Sequence, residues 1–176
     1  MKNETLELYH GGKFPDHNSV WPLQHFGTLD AALGRIATNY HDCLPGREVA
    51  NILYRCEVDL GDHVKQVSDW IVAQPAGFIL LFEQINLLGW DRRSYRELMA
   101  KVSEMQRQDQ FSALMQVVDN LVPTGVSAFR YPNEHEGQKG EDSYCVVDPK
   151  SVRVLSHRIV ERCEVEHLPP FAAEFT

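Results

Sequence analysis

The chain has no CxxC pair; its four cysteines, Cys43, Cys56, Cys145 and Cys163, stand far apart among 176 residues. That spacing argues against a zinc knuckle. It fits reduced thiols in a cytosolic protein, with Cys56, Cys145 and Cys163 each in an apolar, strand-like run. Positive charge is scarce as well. Lys and Arg number 17 against 25 Asp and Glu, a formal net charge of −8. The overall field therefore does not draw the chain to nucleic acid. Long apolar runs are missing: the longest, residues 77–82, stops at Glu83 and is too short to cross a bilayer. The opening residues, Met1 to Thr5, lead into polar alternation with no apolar run of signal-peptide length. These absences predict a protein free of membrane, cytoplasmic or delivered to another cell without a cleavable signal peptide. Internal repeats, low-complexity tracts and linkers are lacking too, which predicts one domain over residues 1–176. Hydrophobic residues make up 43% of the chain and charged residues 24%, so a globular fold is expected rather than disorder.

What is present is a sequence of strands, then helices, then strands. Residues 5–10 alternate, with Leu6, Leu8 and His10 on one side of a predicted strand. Residues 11–24 read as loop. His25-Phe26-Gly27 is a short extended piece, and Thr28 caps a helix that carries Leu29, Ala32, Leu33 and Ile36 and fades by Asn39-Tyr40. Val49 to Leu60 reads as a long strand with Ile52, Tyr54, Cys56 and Val58 on one face. In the middle, Ser68 is a candidate cap for a short helix stopped by Pro75, and residues 78–88 form a second helix closed by Gly89. Ser94-Tyr95-Arg96-Glu97 is a capping box opening a third helix that runs to Pro123, with a polar interval at residues 106–110 open to a bend or a break. Strands return at residues 126–131, 143–147 and 152–162. This order predicts an α+β domain whose terminal thirds form the sheet, with a helical insertion over about residues 64–122.

Chemistry concentrates at the two ends. Leu8-Tyr9-His10-Gly11-Gly12 is followed by His25-Phe26-Gly27-Thr28 with Ala31-Ala32 and Tyr40. Near the other end stand Tyr131-x-Asn133-x-x-Glu136-Gly137 and Ser143-Tyr144-x-Val146-Val147-Asp148-Pro149-x-x-Val152. In this order and spacing, about 80 residues resemble the ADP-ribosyltransferase-like domains of bacterial and phage proteins. The central helices carry no such likeness. The resemblance implies a split β-sheet that clamps NAD, as substrate, between its halves. It implies cleavage of the nicotinamide–ribose bond and transfer of ADP-ribose to an acceptor, more readily a protein than a nucleic acid given the acidic balance. With water as acceptor, the activity is that of an NAD glycohydrolase. A toxin or effector role with an inhibitory partner protein follows from the same analogy.

Carried onto this chain, the resemblance assigns His10 to orient a ribose, with the backbone of Gly11 and Gly12 approached closely by the nicotinamide amide. Phe26 or Tyr40 stacks on nicotinamide, Thr28 stands where arginine-type members have a serine or threonine, and Glu136 is the catalytic carboxylate. The chemistry wants such a group, because breaking the glycosidic bond develops positive charge on the ribose ring. Each residue also has a plainer role open to it. His10 shares a face with Leu6 and Leu8 and suits a hydrogen-bonded core histidine. Phe26 and Tyr40 suit core packing. Glu136 sits among Glu134, His135, Glu141 and Asp142 in what can be a solvated acidic loop, and Glu134 is a second candidate catalyst. A catalytically inactive binding module of the same fold stays open. RNA 2′-phosphotransfer would need more Arg and His than the matching positions hold. His17, His25 and His41 with Asp16 and Asp42 match no common ligand spacing, so no metal is expected.

Overall fold

The computed structural model describes residues 5–68, 74–133 and 141–169. Strand β1 (Thr5–Gly12) continues the alternation of residues 5–10 straight through its two glycines. After it come β2 (Gln24–Phe26), α1 (Leu29–Asp42), β3 (Ile52–Asp59) and β4 (Val64–Gln66). The helices α2 (Pro75–Gln84), α3 (Arg92–Gln108) and α4 (Gln110–Leu121) follow. The chain then returns through β5 (Ala128–Pro132), β6 (Asp142–Val146) and β7 (Val152–Ile159) to a one-turn helix, α5 (Arg162–Val165). The class is α+β, as the element order predicts.

The strands form two sheets rather than one. One has the order β1-β3-β7 and is antiparallel; the other has the order β2-β6-β5-β4, in which β4 and β5 run parallel. The sheets touch where Tyr9 and Gly27 exchange both backbone hydrogen bonds, at 2.8 and 2.9 Å. Period-2 alternation explains the layering. In β3, Tyr54, Cys56 and Val58 point at the second sheet and pack with Phe26, Ala128 and Val146. Leu53 points the other way, against Ala32 and Ile36 of α1 and Val165 of α5. In the second sheet, Phe129, Tyr131, Cys145 and Val147 face outward onto α2, α3 and α4. The molecule is thus helix, sheet, sheet, helices. Apolar area removed from water holds these layers together, at about 1.5–3 kcal/mol for each fully buried large side chain such as Phe78, Phe82 or Phe129.

Several local expectations are corrected. Pro75 opens α2 at its first turn, where a missing N–H costs nothing; the short helix expected after Ser68 falls on residues 69–73, which lie outside the described residues. Asp91, not Ser94, caps α3: its carboxylate accepts from the Ser94 N–H at 2.8 Å. Of the two readings open for the polar interval, bend or break, the structure shows the break. Asp109 ends α3 and also caps α4, accepting from the Phe111 and Ser112 backbone N–H groups. α1 runs on through Tyr40 to Asp42. β4 lies inside the stretch expected to be helical; its three residues are too few to show a period, and its pairing with β5 makes it a strand. β7 stops at Ile159, so Cys163 falls on α5 and is exposed. Cys56 and Cys145 are buried, and burial pushes the Cys56 thiol up to about 12 and the Cys145 thiol well above its usual value. No helix of the described residues is long and apolar enough to cross a membrane.

Candidate functional site

Where the two sheets meet, α1 starts. Thr28 caps it: its hydroxyl oxygen accepts from the Ala31 N–H at 3.2 Å and its O–H donates to Glu141 Oε2 at 2.6 Å. The first turns of α1 lie flat on β1, because Gly11 has no side chain. A Cβ built there would stand 2.1 Å from the Ala32 carbonyl oxygen. Between α1, the end of β1, β2 and the ends of β5 and β6 lies a cavity of about 340 Å³. It is lined by His10, Gly11 and Gly12 on the β1 side, Gln24, His25 and Phe26 from β2, Arg35 and Asn39 from α1, and Tyr131, Asn133 and Ser143 opposite. That volume lies near the lower end of the range for small-molecule sites.

His10 is held from several sides. Its Nδ1 lies 2.9 Å from the His25 carbonyl oxygen, which can only accept, so Nδ1 carries the proton and Nε2 is left as an acceptor. Gln24 Nε2 stands beside the ring, 3.3 Å from Nδ1 and 3.5 Å from Nε2. The ring stacks on Phe14 at 4.7 Å and tilts against Phe26 at 5.9 Å. Loss of solvent lowers its pKa from 6.5 to about 4; the His25 carbonyl opposes this, and the positive charge of Arg35 adds to it. His25 is lowered to about 3, first by desolvation and then by the charges of Arg35 and His10. Its Nδ1 is 2.7 Å from the Tyr131 hydroxyl. Both imidazoles are therefore neutral at pH 7. Across from them Asn133, 3% exposed, donates from Nδ2 to Ser143 Oγ at 2.9 Å, and its backbone N–H reaches the Glu141 carbonyl at 3.0 Å.

No family model, curated protein or solved structure matches this chain.

Of the residues singled out in the sequence, His10, Gly11, Gly12 and Phe26 come together on this cavity. Thr28 stands one step behind it, in the cap of α1. Tyr40 does not line it. Its hydroxyl donates to the Val160 carbonyl at 2.7 Å and accepts from Asn51 Nδ2 at 2.8 Å, tying the end of α1 to the chain after β7. The α1 positions that reach the cavity are Ala31, Ala32, Arg35 and Asn39, one stripe at helical spacing, and Tyr40 is rotated off it. Phe26 is 1% exposed and packs mainly into the core between the sheets. Glu134 and Glu136 lie outside the described residues. His17, His25 and His41 do not converge: His17 stacks on His157 at 4.1 Å, His25 lines the cavity and His41 bonds Asp42 at 2.9 Å. Sequence reasoning missed Arg35 and Asn39. The signal was available, since both extend the Ala31-Ala32 stripe by one and two turns.

The two depressed histidines make stability depend on pH. Unfolded, each titrates near 6.5; folded, near 4 and 3. Between those values the unfolded chain binds more protons, so stability is complete above about pH 6.5 and is lost as pH falls toward the folded values. Near pH 5 the difference approaches two protons, a slope of about 2.7 kcal/mol per pH unit. Urea unfolding followed by circular dichroism should show the midpoint dropping between pH 6.5 and 5, above the range where most carboxylates titrate. A flat midpoint over that window would mean that the imidazoles are hydrated in the folded protein.

Proposed function

We propose that this chain is an NAD-dependent ADP-ribosyltransferase-like enzyme. It cleaves the nicotinamide–ribose bond and passes ADP-ribose to a protein or other acceptor. One observation carries this reading. The junction of the two sheets brings His10-Gly11-Gly12 and the Asn133 end of β5 onto walls of one cavity, and Asn133 directly precedes the segment that holds Glu134 and Glu136. The neutral His10 presents Nε2 as an acceptor for a ribose hydroxyl. Gly11 and Gly12 offer bare backbone to a planar amide. One of those two glutamates supplies the negative charge that an oxocarbenium-like transition state requires. By the same resemblance the activity serves as a toxin or effector and is held in check by an inhibitory partner.

A second reading, an inactive NAD-binding module, draws on the aromatic residues. Tyr40 is committed elsewhere and the Phe26 ring is buried in the core. Neither predicted residue therefore offers a free face to nicotinamide, and Tyr9 and Tyr131 are the aromatic alternatives on the lining. Incubating purified protein with NAD and resolving products by chromatography separates the readings. Nicotinamide release above a buffer control is expected. Calorimetric binding of NAD without release selects the module, and neither binding nor release at millimolar NAD removes both.

A further inference from the structure

The apolar residues of α4 do not all face inward. Ala113, Leu114, Val117 and Leu121 are buried in the core beneath the helical layer. Phe111, Met115, Val118 and Val122 follow the spacing i, i+4, i+7, i+11 and form a second stripe, rotated toward solvent. Val122 belongs to it because, as the C-cap, it keeps helical backbone. Phe111 is 48% exposed, Met115 38% and Val122 69%, while Val118 joins the stripe to the core. The Trp21 ring meets Phe111 edge-on at 5.8 Å and adds a second aromatic to the patch. Apolar side chains exposed singly are ordinary. Several in register on one helix, with methionine and aromatic rings among them, have the composition of a protein-binding surface.

Charge decides the partner. Gln110–Leu121 holds no Lys, Arg or His; its one acidic residue, Asp119, is exposed on the flank of the stripe, and Asp109 stands at its N-terminal end. The Arg107 guanidinium near that end is paired with Glu104 at 3.1 Å. The trough lined by Lys101, Gln116 and Asn120 opens on a different side of α4. A second copy docked stripe to stripe would bring two carboxylates from each chain to the contact and no cation from either α4. An anionic lipid surface would be repelled in the same way. A helix with Lys or Arg beside its apolar residues covers the stripe and neutralises its rim together.

We infer that the Phe111–Val122 face of α4 is a docking surface for a basic amphipathic helix of a partner protein. The apolar face of that helix lies on the stripe, and its cations meet Asp119 and Asp109. No residue of the stripe lines the cavity, so the inference goes beyond the NAD reading and does not rest on it.

Fluorescence anisotropy on the full chain tests this with two labelled synthetic helical peptides. Both carry leucines and a tryptophan at i, i+3, i+4 and i+7; the remaining positions are Lys in one and Glu in the other. The wild type should bind the lysine peptide at least about tenfold tighter than the glutamate peptide, and more weakly as salt rises. Met115→Gln, which keeps helix propensity, should weaken the lysine peptide about tenfold. Asp119→Lys should weaken it by a similar factor and flatten the salt dependence. Leu155→Gln, at an exposed position on β7 in the other sheet, should leave it unchanged. Undiminished binding in Met115→Gln would mean attraction by net charge alone and overturn the surface. Equal binding of both peptides, equal loss in Leu155→Gln, or no binding of the lysine peptide at about 1 mM overturns it too. So does a wild type that sediments as a dimer dispersed by Met115→Gln, or one that binds phosphatidylglycerol vesicles and neither peptide.

Discussion

Nicotinamide release from NAD is expected to fall by about 10²–10³-fold in Glu136→Gln, the usual cost of removing one well-placed electrostatic group from a charged transition state. Glutamine keeps the size and shape of the side chain, removes its charge and exchanges one acceptor oxygen for an NH2 donor. The positive charge on the ribose ring develops as the glycosidic bond breaks, so the carboxylate acts mainly on the transition state. NAD affinity measured by calorimetry should therefore change far less than turnover. Glu134→Gln is the matched control and should leave turnover near the wild-type rate. Both segments of this comparison fall in residues 134–140, between the buried Asn133 and Glu141, whose backbone groups bond each other at 3.0 Å. Unchanged release in Glu136→Gln with loss in Glu134→Gln would transfer the role to Glu134. Loss in neither would remove a catalytic carboxylate from this segment. Thermal unfolding recorded alongside separates a chemical defect from a folding one.

Gly11→Ala should destabilise the fold strongly. Its Cβ would lie 2.1 Å from the Ala32 carbonyl oxygen and 3.0 Å from Ile36 Cγ1. The first of these is backbone inside α1, which cannot swing aside as the end of a side chain can. Either α1 lifts from β1 or β1 bends, and both disturb the cluster of Ala32, Ile36, Leu53, Val160 and Val165. A cost on the order of 3 kcal/mol follows. At about 2–4 °C per kcal/mol for a chain of this size, the melting temperature should drop by about 6–12 °C. Gly12→Ala separates packing from function. There the Cβ would meet His10 Nε2 at 2.8 Å, a ring edge rather than backbone. That variant should melt closer to the wild type yet lose NAD affinity, because the imidazole must turn away from the place proposed for the ribose. A Gly11→Ala protein as stable as the wild type would show that α1 rests on β1 more loosely than the contacts describe.

Local chemistry made much of this legible in advance. The alternation of residues 5–10 and 52–58, the Thr28 cap, the break at residues 106–110 and the return to strands after Gly125 all rest on periods and caps a few residues long. The misplaced features are those whose cause lies elsewhere in the chain. Ser94 has the residue types of a cap, but Asp91 occupies the capping position because the chain turns three residues earlier. β4 is a strand only because β5 lies beside it. Tyr40 was a fair aromatic candidate by its place in the motif. Whether it faces ligand or protein depends on the rotation of α1 against β1, which Gly11 sets from 29 residues away.

Composition and spacing alone determined the α+β class, the helical middle and the gathering of polar, glycine-flanked positions at the two ends, because these follow from interactions within one turn or one strand. Tertiary structure decided that the strands divide into two sheets joined at Tyr9 and Gly27. It also decided that His10, Arg35 and Asn133 share one cavity and that both imidazoles there are neutral. Those outcomes depend on which surfaces exclude water from which side chains, and desolvation and field strength come into being only when distant segments pack.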